Sequence, residues 1–191
     1  MKSVLQLTIT AVIVALITSN LLHTESKLDS EQATSVAANR VDGYGEVVQF
    51  VDAPHQPRDG SKICVDVTKG GDASELNPGI EKLAKYINIY NAAGNQPASV
   101  DIAVVLHGDA TLTILNEQTY TERFKTKSNP NLDCLQKLHQ AGVQFFVCGQ
   151  SLTSKGGKPE QVLDFVSTAV SGVTAVVNLQ TDGYAYVPLS K

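Results

Sequence analysis

Two residues able to do covalent and proton chemistry stand at matching places in this sequence. Cys148 closes the apolar run Val143–Cys148, VQFFVC, and is followed by Gly149-Gln150-Ser151. His107 follows the run Val100–Leu106, VDIAVVL, and precedes Gly108-Asp109. A third β-rich run, Lys62–Thr68, ends with Asp66, Thr68 and Lys69. A thiolate is a strong nucleophile, and an imidazole can take its proton or, when protonated, lower the thiol pKa. The backbone N–H groups of Gly149 and Gln150 would face the anion if a helix starts there. The expected site is therefore Cys148 as nucleophile and His107 as its tuning group, with Gly108, Gly149, Gln150 and Ser151 as binding positions.

Each residue also has an ordinary reading. A free cysteine ending a buried strand is commonly a small core residue. A histidine at a strand end often only donates a structural hydrogen bond. Cys64 lies mid-run between Ile63 and Val65 and reads as core. Cys134 and His139 are five residues apart on one candidate helix, which puts them on different faces and makes no metal pair.

Other site types are missing. The sequence has no GxGxxG after its first strand, no GxxxxGK[ST], no HExxH and no CxxC. Ser151 lacks the GxSxG elbow of a serine hydrolase. No cofactor and no metal are expected. The net charge of −4 over 191 residues, with no Trp and 6% aromatics, argues against nucleic-acid binding. Three cysteines are too few for a disulfide scaffold.

The elements that would position these residues alternate. Strands are expected at Lys62–Thr68, Val100–Leu106, Val143–Cys148 and Val173–Leu179. Helices are expected at Asn77–Ala93, from Ala110, at Asn129–Gln140 and at Pro159–Ala169. Ser151–Lys158 reads as loop, and Tyr184–Leu189 as a hairpin return with Pro188 at a sheet edge. The pattern implies a three-layer α/β/α sandwich with a mainly parallel sheet of about five strands. Right-handed crossovers put the carboxyl ends of parallel strands at one edge, where open α/β sheets bind ligands.

Ahead of that domain, residues 1–22 carry a single charge, Lys2, followed by an uncharged apolar stretch. They read as a signal peptide or an uncleaved N-terminal membrane anchor, with the bulk of the chain exported to the periplasm or cell envelope. Residues 23–45 read as a flexible linker and 46–191 as the α/β domain, with Glu46–Ala53 a short strand or arm.

Three segments carry a family resemblance: VVLHGDA at Val104–Ala110, NPNLDCLQKLHQAGVQFFVCGQSL at Asn129–Leu152, and VSTAVSGVTAVVNLQTDGYAYV at Val166–Val187. Together they resemble the DsrE/DsrF-like superfamily, which includes the YchN-like proteins, in an exported member. The resemblance implies an α/β/α fold that commonly assembles into trimers or hexamers. It also implies a sulfur-carrying cysteine at the end of the third strand, which Cys148 matches. Some members relay sulfur as a persulfide between a donor and an acceptor thiol. Relay members often have Arg-Gly beyond this turn, where this chain has Lys155-Gly156. The function expected is a persulfide carrier rather than a turnover enzyme. The alternatives are a non-catalytic oligomeric binding module of the envelope and a thiol redox sensor.

Overall fold

The computed structural model describes residues 40–189 apart from Asn95. The signal or anchor expected at 1–22, and the linker as far as residue 39, lie outside the described residues. Among the described residues no helix is long and apolar enough to cross a membrane.

Five strands form one sheet: β1 (Ser61–Val67), β2 (Val100–Leu106), β3 (Gln144–Cys148), β4 (Val166–Ala169) and β5 (Ala185–Leu189). Their order is β4-β3-β2-β1-β5, and every neighbouring pair is parallel. The helices are α1 (Pro78–Asn91), α2 (Glu117–Phe124), α3 (Leu132–Gln140), α4 (Gly149–Ser154) and α5 (Gly172–Thr181). Single 3₁₀ turns occupy Gly108–Leu112 and Pro159–Gln161.

The topology decides which helix covers which face. From β1 to β4 the chain steps in one direction, so right-handed crossovers keep the intervening helices on one side. There Ile80, Leu83 and Ile87 of α1 and Leu135 and Leu138 of α3 pack on Val65, Val104, Phe145 and Val147. From β4 the chain returns past β1 to β5, which puts α5 on the opposite face. Ala175 and Leu179 of α5 meet Cys64, Ala103 and Val105 there. This is the expected α/β/α sandwich, in a wholly parallel form.

Several local expectations are corrected. Val173–Leu179 is not a strand but most of α5. Its β-branched residues favour a strand locally, yet burial falls at Ala175 and Leu179, four apart, while Val173 and Val177 face outward. A capping box of Ser171 and Thr174 starts the helix. Pro159–Ala169 is not a helix; it holds a 3₁₀ turn and then β4. Tyr184–Leu189 is not a hairpin return, because β5 reaches the far edge through α5 and pairs in parallel with β1. Pro188 does lie on an edge strand. Ser151–Ser154 belong to α4 rather than to a loop, and Glu46–Ala53 forms no strand.

The end of the expected linker also behaves differently. Asn88 of α1 is buried, accepts the Val41 N–H and donates to the carbonyls of Val41, Tyr44 and Gly45. Val41 is buried against the core as well. One helix asparagine therefore fixes residues 41–45 to the domain.

Candidate functional site

The last pair of the β2–β3 ladder is Leu106 with Val147. One residue further, His107 and Cys148 leave adjacent strands side by side, on the face that α5 covers. Gly172, the first residue of α5, sits against both. A Cβ there would come within 3.3 Å of His107 Cβ and 3.6 Å of Cys148 Cβ. The absence of a side chain at 172 thus lets the start of α5 reach the thiol.

Two chain segments aim donors at Cys148. The thiol caps α4, accepting the Ser151 N–H at 3.4 Å. The backbone N–H groups of Gln150 and Gly172 also act on it to favour the anion. Burial acts to raise this thiol, but hydrogen bonds from the Ser151 side chain and from the N–H groups of Ser151, Gly172 and Gln150 hold it below its ordinary value. The other two thiols go the opposite way. Burial, with the charge of Asp66 nearby, pushes Cys64 up to about 11. Burial, then the charges of Asp133 and Glu81, pushes Cys134 up to about 12. Both are fully buried in the core, as expected for Cys64.

Gly149 and Gln150 brace the loop that delivers Gly172. A Cβ at Gly149 would lie 2.9 Å from the Ala169 carbonyl, so the close approach of α4 to the end of β4 needs glycine. Gln150 Nε2 donates to the Val170 carbonyl at 3.3 Å. Gly108 has a different place. Its φ of +57° and its proximity to the Thr68 carbonyl make it the turn that leads the chain off β2.

The imidazole of His107 turns toward β1 rather than toward the thiol. Its Nε2 lies 2.6 Å from Asp66 Oδ1. The other carboxylate oxygen accepts the Tyr186 hydroxyl at 2.7 Å. Tyr186, Asp66, His107 and Cys148 thus follow one another across β5, β1, β2 and β3 on one face of the sheet. The Asp66 bond, with burial and the Asp66 charge, pushes the Tyr186 phenol up to about 12. Lys155 pairs with Asp109 at 2.5 Å, tying the end of α4 to the turn after His107.

Sequence reasoning placed Cys148, His107 and the residues after Cys148 at this edge, and the structure brings them together. It missed the donor from Gly172, because α5 was read as a strand. It also gave no role to Asp66 or Tyr186. The available signal was Asp66 itself: a lone carboxylate inside an apolar strand must find partners when buried.

Fold and site together define an α/β/α protein that presents one thiol, held toward its anionic form, at the carboxyl edge of a parallel sheet. The family model described as the DsrE/DsrF-like family matches residues 62–189, and the chain belongs to that family, which is linked to sulfur relay. Among solved structures the chain is similar to the protein of unknown function MTH1491 from Methanobacterium thermoautotrophicum. The identity is 21%, over 67% of this chain and 98% of that one, with a TM-score of 0.49. No curated protein matches.

Proposed function

We propose that this protein is a sulfur carrier that holds a sulfane sulfur on Cys148 as a persulfide. The observation that carries this reading is the contrast among its three thiols: burial pushes Cys64 and Cys134 up, while N–H and O–H donors hold Cys148 down. In loading, the Cys148 thiolate attacks the terminal sulfur of a hydropolysulfide. A new S–S bond forms, the adjacent S–S bond of the donor breaks, and the shortened polysulfide leaves as an anion. In delivery, an acceptor thiolate attacks the outer sulfur and Cys148 departs as a thiolate. The donors from Gln150, Ser151 and Gly172 suit it both as nucleophile and as leaving group, because both are anionic.

The reading extends to setting and assembly. The apolar segment Ser3–Leu22 supports work in the cell envelope, as an exported or anchored protein. The family resemblance supports a trimer or hexamer. So does the exposed apolar strip of Val170, Val173 and Val177 beside the site.

Intact-mass measurement after exposure to sodium polysulfide tests the carrier. Wild-type protein should gain about 32 Da, one sulfur atom, in a form that dithiothreitol removes. Cys148→Ser should not gain it. A gain that survives in Cys148→Ser, or no gain in wild-type protein, would overturn the reading.

A further inference from the structure

The polar chain behind His107 is not among the groups that lower the Cys148 thiol, yet its cost is high. Asp66 is 8% exposed and stands in β1 between apolar neighbours. A buried carboxylate in such a place is unfavourable unless its oxygens are engaged. One oxygen takes the Tyr186 hydroxyl at 2.7 Å. The other, Oδ1, is buried with no aligned hydrogen-bond donor among the described residues and lies 2.6 Å from His107 Nε2 as an ion-pair contact. At that separation Nε2 must carry its hydrogen, since a bare nitrogen lone pair would repel a carboxylate oxygen. A neutral imidazole held in this way has its free lone pair at Nδ1. The ring stays accessible, at 37% exposed, beside Cys148.

We propose that Asp66 and Tyr186 are positioning residues that hold His107 as the proton acceptor for the thiol that unloads Cys148. The proposal rests on the carrier reading and deepens it. In the unloading step the acceptor thiol gives its proton to His107 Nδ1. Its sulfur then forms a bond to the outer sulfur of the Cys148 persulfide. The Cys148 S–S bond breaks, and its electron pair stays on Sγ. The products are the acceptor persulfide, the Cys148 thiolate and a His107 imidazolium facing Asp66. The carboxylate stabilises the cation, and Tyr186 keeps the carboxylate in place. The group facing the ring is Asp66 from β1, which Tyr186 from β5 holds in turn, and Cys148 from β3 lies on the neighbouring strand. The first turn of α5 contributes no charged side chain.

The test compares wild type, Asp66→Leu, Tyr186→Phe and His107→Gln in the full chain. Leucine removes the acceptor oxygens without leaving a buried charge unpaired. Loading is read by intact mass after polysulfide treatment, and unloading by loss of that mass on adding N-acetylcysteine over a range of pH. Nitrogen-15 NMR of the His107 ring reports which nitrogen bears hydrogen. Each protein is first driven to full loading with excess polysulfide, so that unloading is compared from the same starting state. Unloading should slow by about tenfold or more in His107→Gln and Asp66→Leu, and by a few-fold in Tyr186→Phe. The wild-type ring should show hydrogen at Nε2, and Asp66→Leu should lose that preference. Equal unloading across the set with loading intact would overturn the proposal and leave the carrier standing. Wild-type protein that never loads would sink the carrier. A wild-type ring with its hydrogen at Nδ1 would overturn the positioning claim whether or not the protein loads. If Asp66→Leu does not fold, Tyr186→Phe and the wild-type ring signal decide.

Discussion

Cys64 and Cys148 sit on the same face of one sheet, the first fully buried and the second 6% exposed, and their thiols are driven in opposite directions. Cys64 lies in the middle of β1, where the neighbouring backbone donors are committed to the ladder with β2 and β5. Its surroundings are apolar side chains and one carboxylate. Cys148 lies at the end of β3, where the ladder stops and two helices begin. Their first N–H groups have no partner within the helix and are free to face sulfur. Burial alone therefore says little about a thiol. What separates these two is whether uncommitted donors share the buried space.

The comparison is broken by removing a donor without moving the helix. Gly172→Pro deletes the N–H at the first position of α5, where proline is tolerated, and Ser171 before it is already extended at φ −153° and ψ 160°. Alkylation of Cys148 at pH 7 should slow by about tenfold, because losing one N–H bond to a charged group raises the thiol pKa by about one unit. Gly172→Ala adds the same Cβ beside His107 but keeps the N–H, so it should slow the reaction far less. Equal effects would trace the change to crowding.

The buried partner sharpens the contrast through stability. An unfolded thiol ionises near 9.0, whereas Cys64 in the fold resists ionisation up to about 11. Between those values the unfolded state sheds the proton first, so stability should fall as pH rises. Cys64→Ala should flatten that alkaline decline, by about 1 kcal/mol at pH 10 in urea titrations. Cys148 has the opposite sign. Its lowered pKa gives stability that is present above 9.0 and lost as pH falls through its folded value. A decline unchanged in Cys64→Ala would mean that this thiol does not carry the alkaline effect.

A further break of the comparison concerns Ser151. Ser151→Ala removes the hydroxyl that helps to lower the Cys148 thiol and leaves the backbone N–H in place. Alkylation should slow by about tenfold, at least as much as in Gly172→Pro, because this hydroxyl does more than the Gly172 N–H to lower the thiol. A loss well below that in Gly172→Pro would put the backbone, not the hydroxyl, at the centre of the site.

How much of this was legible follows from where the information lies. β1 to β3 are short apolar runs closed by glycine or polar residues, and such runs buried on both faces read as strands without help. Cys148 and His107 sit at the ends of those runs, so the strand reading also located the site. The half after Lys158 was misread because Val173-Thr174-Ala175-Val176-Val177 looks like a strand in isolation. Only the return from β4 to β5 requires a helix there, and that is a property of the whole sheet. The misreading hid Gly172. The tie between Asn88 and residues 41–45 was invisible for a related reason: it joins a helix residue to a polar stretch 43 to 47 residues earlier. The link from Asp66 to Tyr186 spans 120 residues and needed the β1–β5 pairing.

The most direct measurement of the central claim is iodoacetamide labelling of the native protein, resolved by peptide mapping across pH 6 to about 10, a range that brackets an ordinary thiol pKa. The account expects Cys148 to label first, with a midpoint below 9.0, while Cys64 and Cys134 stay unlabelled until the protein is unfolded. Labelling of Cys134 ahead of Cys148, with Cys148 protected until denaturation, would make Cys148 a core residue and contradict the account.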